Sequence, residues 1–140
     1  MSLTTSQTKI VQMSFHQLIG EIALAAQTFY DRLFELDPSL RVLFKGDMRM
    51  QGRKLMQTLL VVVNGLDNLD TLIPDIRSLG KRHTGYGVKR EHYDTVGAAL
   101  LWMLEQRLKD HFTPETKDAW TAAYQTLVAV ATEQEYHLSS

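Results

Sequence analysis

The chain has 140 residues, 44% of them apolar, enough for one domain with a sizeable core. Fifteen basic and sixteen acidic residues leave a formal charge of −1, which points to neither nucleic acid nor an anionic membrane as partner. Cysteine is absent, which excludes disulfides, thiolate metal sites and thiol nucleophiles and agrees with a reducing compartment.

No secretory signal opens the sequence, because its first residues are polar. The longest apolar run, Leu59 to Val63, is far short of the roughly 18–20 residues needed to cross a bilayer. The expectation is a soluble, cytoplasmic protein with a single domain over residues 1–140, no membrane span and no nucleic-acid partner.

Apolar residues recur at helical spacing throughout, and alternating strand patterns are missing, so the fold class reads as all-α. A first helix spans about Thr5 to Ile19, with Ile10 or Val11, Phe15, Leu18 and Ile19 inward. Gly20 breaks it or brings the next helix close. The second helix covers about Glu21 to Leu36, with Ile22, Ala26, Phe29, Tyr30, Leu33 and Phe34 toward the core. Asp37-Pro38 stops it, since the residue before proline is pushed out of the α region. A short helical turn over Ser39 to Leu43 leads to Phe44, and Gly46-Asp47 makes a corner.

The third helix is expected over Met50 to Asn64, with Gln51, Leu55, Leu59 and Val62 on one face and Arg53, Lys54 and Gln57 away from it. Gly65 to Asp70 reads as a polar link. The next helix starts near Thr71 with Pro74 in its first turn. Its Leu72, Ile76, Leu79 and His83 share one face, and Gly85-Tyr86-Gly87 ends it. Glu91 to Lys109 forms a long helix with Tyr93, Val96, Leu100, Leu104 and Leu108 on one side. Thr113 caps the last helix, Pro114 opens it, and it runs to about Glu135 with Trp120, Tyr124, Leu127 and Ala131 on one stripe. Six main helices of unequal length plus a short turn fit orthogonal packing around a pocket better than a four-helix bundle.

His83 closes an apolar stripe. It reads either as a core histidine bonded to a carbonyl or as a metal ligand. No second histidine stands at i+3 or i+4 and no Glu-x-x-His pair occurs, which argues against zinc and di-iron sites. A metal held by His83 would take its other ligands from a cofactor, as haem iron does with one axial histidine. Gln51 reads as a helix-end boundary residue or as an amide donor above a metal-bound ligand. Tyr30 reads as a packed tyrosine or as a phenol donor in a pocket. Glu135, with Glu133 as a competitor, either frays into solvent or meets Tyr93 and His83 if the last two long helices are antiparallel. Local signatures of a serine–histidine–acid site, a phosphate loop or a dinucleotide fingerprint are missing.

Taken in order, Phe29-Tyr30-Asp31-Arg32-Leu33-Phe34, Leu43-Phe44, Gln51 with Leu55, Lys81-Arg82-His83, His92-Tyr93 with Val96-Gly97, and Ala119-Trp120 with Tyr124 resemble the globins. The resemblance is to the bacterial single-domain globins related to the haem domain of flavohaemoglobins, and it covers about Thr5 to Glu135. It implies a globin fold around haem b (iron protoporphyrin IX) with His83 as the proximal ligand. Phe44, Leu55, Leu79 and Tyr93 would then line the cofactor, and Tyr30, Gln51 and Leu55 the distal pocket. Tyr93 and Glu135 match a proximal hydrogen-bonded set that would orient the histidine, and Arg53 or Lys54 stands where a haem propionate could pair. The implied function is reversible oxygen binding at ferrous iron, for carriage, delivery or storage, with NO and CO as further diatomic ligands. The alternatives are nitric oxide dioxygenation (nitric oxide detoxification) and a peroxidase-like activity. Since the flavin and nicotinamide domains of flavohaemoglobins are not in the sequence, either enzyme would draw on an external reductase. Gln51 in place of a distal histidine argues against a bis-histidine state.

Overall fold

The computed structural model describes residues 3–44, 46–85 and 88–132. Six α-helices follow one another: α1 (Thr5–Leu18), α2 (Ile22–Leu36), α3 (Met48–Asn64), α4 (Leu69–Gly85), α5 (Arg90–Leu108) and α6 (Pro114–Ala131). Among the described residues there is no strand. The all-α architecture expected from the sequence is what the described residues form. No helix of the described residues is long and apolar enough to cross a membrane.

Local chemistry sets the helix ends. The Thr4 hydroxyl accepts from the Gln7 amide at 3.0 Å while the Gln7 side chain accepts from the Thr4 amide at 3.1 Å, so two orphan donors at the start of α1 are satisfied reciprocally. Asp47 caps α3 by accepting from the Arg49 amide at 2.9 Å. Thr113 caps α6 with Pro114 at its first position. Asp37, extended before Pro38, ends α2 and accepts from the Ser39 amide to start a 3₁₀ turn over Pro38–Leu43. The corner expected at Gly46 needs a backbone with φ of 94°, which glycine adopts without steric cost.

Two helices start earlier than their apolar stripes suggest. The Asp47 cap starts α3 at Met48 rather than Met50. A 3₁₀ turn over Leu66–Asn68 runs straight into α4, which therefore starts at Leu69 rather than Thr71. Pro74 then falls inside the helix and not in its first turn, so the carbonyl of Asp70 receives no bond from it. The expected end of α6 near Glu135 lies outside the described residues, as do Tyr86 and Gly87.

The core is built mainly from α1, α2, α5 and α6. Val11, Phe15, Ala25, Ala99, Met103, Leu104 and Ala119 are fully enclosed. The Phe15 and Trp120 rings meet at 6.3 Å. The Trp120 indole N–H donates to Ser14 Oγ at 2.8 Å, and that hydroxyl donates to the Ile10 carbonyl at 2.7 Å. Burying the indole therefore leaves no polar atom of this pair unsatisfied. Ile19, expected inside, is exposed, because the chain leaves α1 there for a 3₁₀ turn over Ile19–Glu21.

The broad contacts are α2 with α5 and α1 with α6; α3 rests on α2, and α4 on α6. Glycines set both of the latter. A Cβ at Gly80 would lie 2.0 Å from the Ala131 carbonyl oxygen, so the backbones of α4 and α6 touch there. A Cβ at Gly52 would lie 3.0 Å from that of Ala26, so this glycine sits at the α2–α3 crossing. Consecutive helices α3 and α4 have no comparable contact with each other among the described residues.

Candidate functional site

Helices α3 and α4 each carry two apolar stripes. On α3, Gly52, Met56 and Val63 are buried, while the neighbouring line of Gln51, Leu55, Leu59 and Val62 is half-buried. On α4, Leu72, Ile76 and Gly80 are buried, whereas Leu79 and His83 are half-buried beside them. The single α4 stripe expected from the sequence is thus divided by the close approach of Gly80 to Ala131. Arg53, Lys54 and Gln57 point to solvent, as their positions suggested. Helices α3 and α4 thus each present a half-buried apolar line and have no comparable contact with each other among the described residues.

His83 is prepared on one side. Its Nδ1 lies 2.7 Å from the Leu79 carbonyl oxygen, one turn back in α4. A carbonyl only accepts, so Nδ1 carries the proton and Nε2 keeps its lone pair for a metal. Among the described residues there is no cluster of three or more His, Cys, Asp or Glu side chains able to hold a metal ion. Among the described residues, a metal at His83 would therefore need ligands from a cofactor. A single imidazole donor of this kind fits one axial position of a macrocycle.

An aromatic cluster forms between α2 and the corner that follows it. Phe44 meets Tyr30 edge-on at 5.3 Å and Phe34 at 5.5 Å, and Tyr30 stacks on Phe34 at 5.9 Å. The Arg41 guanidinium donates to the Phe44 carbonyl at 2.7 Å, which holds the corner in place. Burial pushes the Tyr30 phenol up to about 12, so it is a neutral donor throughout the physiological range. No described residue takes a hydrogen bond from its hydroxyl. Gln51 flanks the Gly52–Ala26 contact, with Tyr30 one turn beyond Ala26 on α2.

Behind α4, the fold singles out a residue that the sequence reading left in the core stripe of α6. The Tyr124 hydroxyl donates to the Tyr93 carbonyl at 2.6 Å. Gly97, one turn after Tyr93, leaves room for the Tyr124 ring, 2.7 Å from where a Cβ would stand. Burial, and then the nearby Tyr93 and Asp94, drive the Tyr124 phenol above the ordinary tyrosine range, so it stays protonated. A Tyr-x-x-x-Gly spacing opposite an aromatic is the signal that could have found this contact. Glu135 and its competitor Glu133 lie outside the described residues. The structure thus joins Tyr30 with Phe44 and His83 with Leu79, and it places Tyr93, half-buried, at the start of α5.

Comparison with known proteins gives the family. A globin family model matches residues 27–131. Flavohaemoproteins are similar in sequence, that of Vibrio cholerae at 30% identity over 136 residues and that of Bacillus subtilis at 33% over 99. These alignments take in 95% and 69% of this chain but 34% and 25% of the relatives, so the chain spans between a quarter and about a third of their length. Neuroglobin-1 of Oncorhynchus mykiss is 29% identical over 141 residues, covering 91% of this chain and 89% of that protein. Among solved structures, an engineered carbene transferase based on a protein of Rhodothermus marinus described as a nitric oxide dioxygenase superposes with a TM-score of 0.86. It is 27% identical, and the match covers 99% of this chain and 96% of that one. The family match begins in α2 before Tyr30, passes through His83 and ends with α6 at the residue that touches Gly80; the chain belongs to the globin family.

Proposed function

We propose that the chain holds haem b between α3 and α4 with His83 Nε2 as its protein ligand, and that it binds oxygen reversibly. The observation that carries this reading is the His83 Nδ1 bond to the Leu79 carbonyl, which fixes the tautomer and aims the free nitrogen away from α4's own backbone. Ferrous haem supplies reversible coordination of oxygen and of other diatomic ligands such as NO and CO.

The remaining roles fall to this chain's side chains. Phe44, Leu55 and Leu79 supply apolar surface to a macrocycle. The Tyr30 hydroxyl and the Gln51 amide are donors for a ligand on the side away from His83. A hydrogen bond of this kind contributes about 1–1.5 kcal/mol, roughly a factor of ten in ligand release. Arg53 or Lys54, both exposed on α3, is assigned to pair with a haem propionate. Tyr93, with Glu135, is assigned to the proximal side, where Tyr124 anchors the Tyr93 backbone.

The test is the absorption spectrum of the purified, haem-reconstituted protein in its ferric, ferrous and carbon monoxide forms. A strong Soret band that His83→Gly loses and added imidazole restores is the expected result. A reconstituted sample with no Soret band overturns the reading.

A second reading is favoured by the flavohaemoprotein relatives and by the dioxygenase behind the structural match. In it the oxygenated protein converts nitric oxide to nitrate, with electrons delivered by a flavoprotein reductase. Nitrate formed stoichiometrically with nitric oxide under reducing turnover supports it. Loss of the oxygenated form without nitrate leaves oxygen binding alone.

A further inference from the structure

Arg41, at the corner between α2 and α3, has so far only a local part, and its contacts reach further. The 3₁₀ turn over Pro38–Leu43 brings residues three apart onto one side, so Arg41 and Phe44 meet. The Phe44 amide donates to the Arg41 carbonyl at 3.2 Å, and the Arg41 guanidinium donates back to the Phe44 carbonyl at 2.7 Å. One residue thus holds both polar groups of the Phe44 backbone. The same guanidinium lies 5.8 Å from the centre of the Phe34 ring, within cation–π reach. Among the described residues no carboxylate pairs with Arg41, so its guanidinium serves the corner.

The two rings that Arg41 holds are the ones that wall Tyr30. Phe34 and Phe44 meet each other at 5.5 Å, and Tyr30 stacks on the first at 5.9 Å and meets the second edge-on at 5.3 Å. Phe29 packs against another side of Tyr30 at 5.1 Å. A tyrosine hydroxyl lies on the axis of its ring, so a ring flip leaves it in place. Tilt about the Cα–Cβ bond is what carries it away, and in a packed cluster that tilt must push the neighbouring rings. Arg41 restrains Phe34 through its ring and Phe44 through its backbone, while itself staying exposed to solvent.

We infer that Arg41 is a positioning residue for ligand binding, locking the Phe34–Phe44 wall that aims the Tyr30 hydroxyl; the inference rests on the haem reading above. Hydrogen bonds weaken steeply as they bend. A donor stays within about 0.5 Å of its working position only when the residues behind it are themselves locked. Without the guanidinium the corner loosens, Tyr30 tilts more freely, and the ligand loses part of its hydrogen bond. Arg41 acts through Tyr30 and does not touch the ligand.

The experiment is infrared spectroscopy of the C–O stretch in the ferrous carbon monoxide form, together with stopped-flow oxygen release and urea denaturation. A donor at the ligand oxygen weakens the C–O bond and lowers its stretch, which reports the Tyr30 hydroxyl directly. Tyr30→Phe is expected to raise the stretch. Arg41→Met, which keeps an apolar stem but drops the guanidinium, raises it part of the way and speeds oxygen release about threefold. Arg41→Gln does the same. Arg41→Lys, still able to donate to the Phe44 carbonyl, stays nearer the parent than either. In the Tyr30→Phe background, Arg41→Met changes neither stretch nor release. Arg41→Met and Arg41→Gln that lower stability but keep the parent's stretch and release overturn the inference, because the clamp then serves the fold alone. An Arg41→Met effect that persists in full without the Tyr30 hydroxyl also overturns it. A normal Soret band with stretch and release unmoved by Tyr30→Phe removes Tyr30 as donor, and the inference with it, while haem binding stands. No Soret band removes both.

Discussion

The α1–α6 and α2–α5 pairs are packed side against side, while α3 and α4 each lean on a different partner and leave a half-buried apolar line uncovered. In the first region, residues such as Phe15, Met103 and Trp120 are enclosed and the polar pair of Trp120 with Ser14 is satisfied internally. In the second, close contacts fall at Gly52 and Gly80, and the larger apolar side chains beside them are only half covered. The difference teaches where this chain leaves apolar surface only half covered. Rigid packing on the outer partners holds two helices apart, so neither can collapse onto the other to bury its second stripe.

Three changes break or sharpen this contrast. The largest effect belongs to the packed region. Trp120→Ala removes an enclosed indole and strands Ser14, and should cost about 3–5 kcal/mol in chemical denaturation. A loss under about 1 kcal/mol would show that the α1–α6 pair is not the frame.

Gly80→Val comes next. Its Cβ would meet a backbone oxygen, which cannot rotate away as a side chain can, so α4 must move off α6. A loss of about 3 kcal/mol is expected, together with weaker haem retention, because α4 carries His83. Stability falling while haem retention holds would separate the α4–α6 contact from the site.

The smallest change in stability is expected at Tyr30. Tyr30→Phe keeps the aromatic cluster but removes the hydroxyl, and should speed oxygen release about tenfold in laser-flash or stopped-flow measurements. The same variant reports on burial through pH. The phenol is raised from 10.0 to about 12 in the folded chain. The stability linked to keeping it neutral is therefore fully present below pH 10 and lost as pH climbs toward 12. Tyr30→Phe should lose less stability than the parent between pH 9 and 11.5. Parallel curves would mean that the hydroxyl is solvated. Tyr124, raised still higher, titrates alike in both proteins.

Much of this was legible in the chain. The cap at Thr113, the Asp37-Pro38 stop and the 3.6-residue stripes follow from local chemistry, and they located all six helices. His83 was legible as a histidine closing an apolar line, and Phe44 as the residue at a corner. The early starts of α3 and α4 were not, because a cap or a 3₁₀ turn extends a helix beyond its apolar stripe. Tyr124 was read as core, since its bond to the Tyr93 carbonyl spans 31 residues and leaves no local trace.

The sequence by itself determined the helical class, the absence of a multi-residue metal cluster built on cysteine, and the candidate ligand His83. These depend on residue type and on spacing within a turn or two, which one helix settles alone. Only the tertiary structure decided that Gly52 and Gly80 are contact points, and that the α4 stripe divides into a packed half and a half-open one. Such facts rest on which helix lies against which, and that is set by the competition of all the apolar faces for one core.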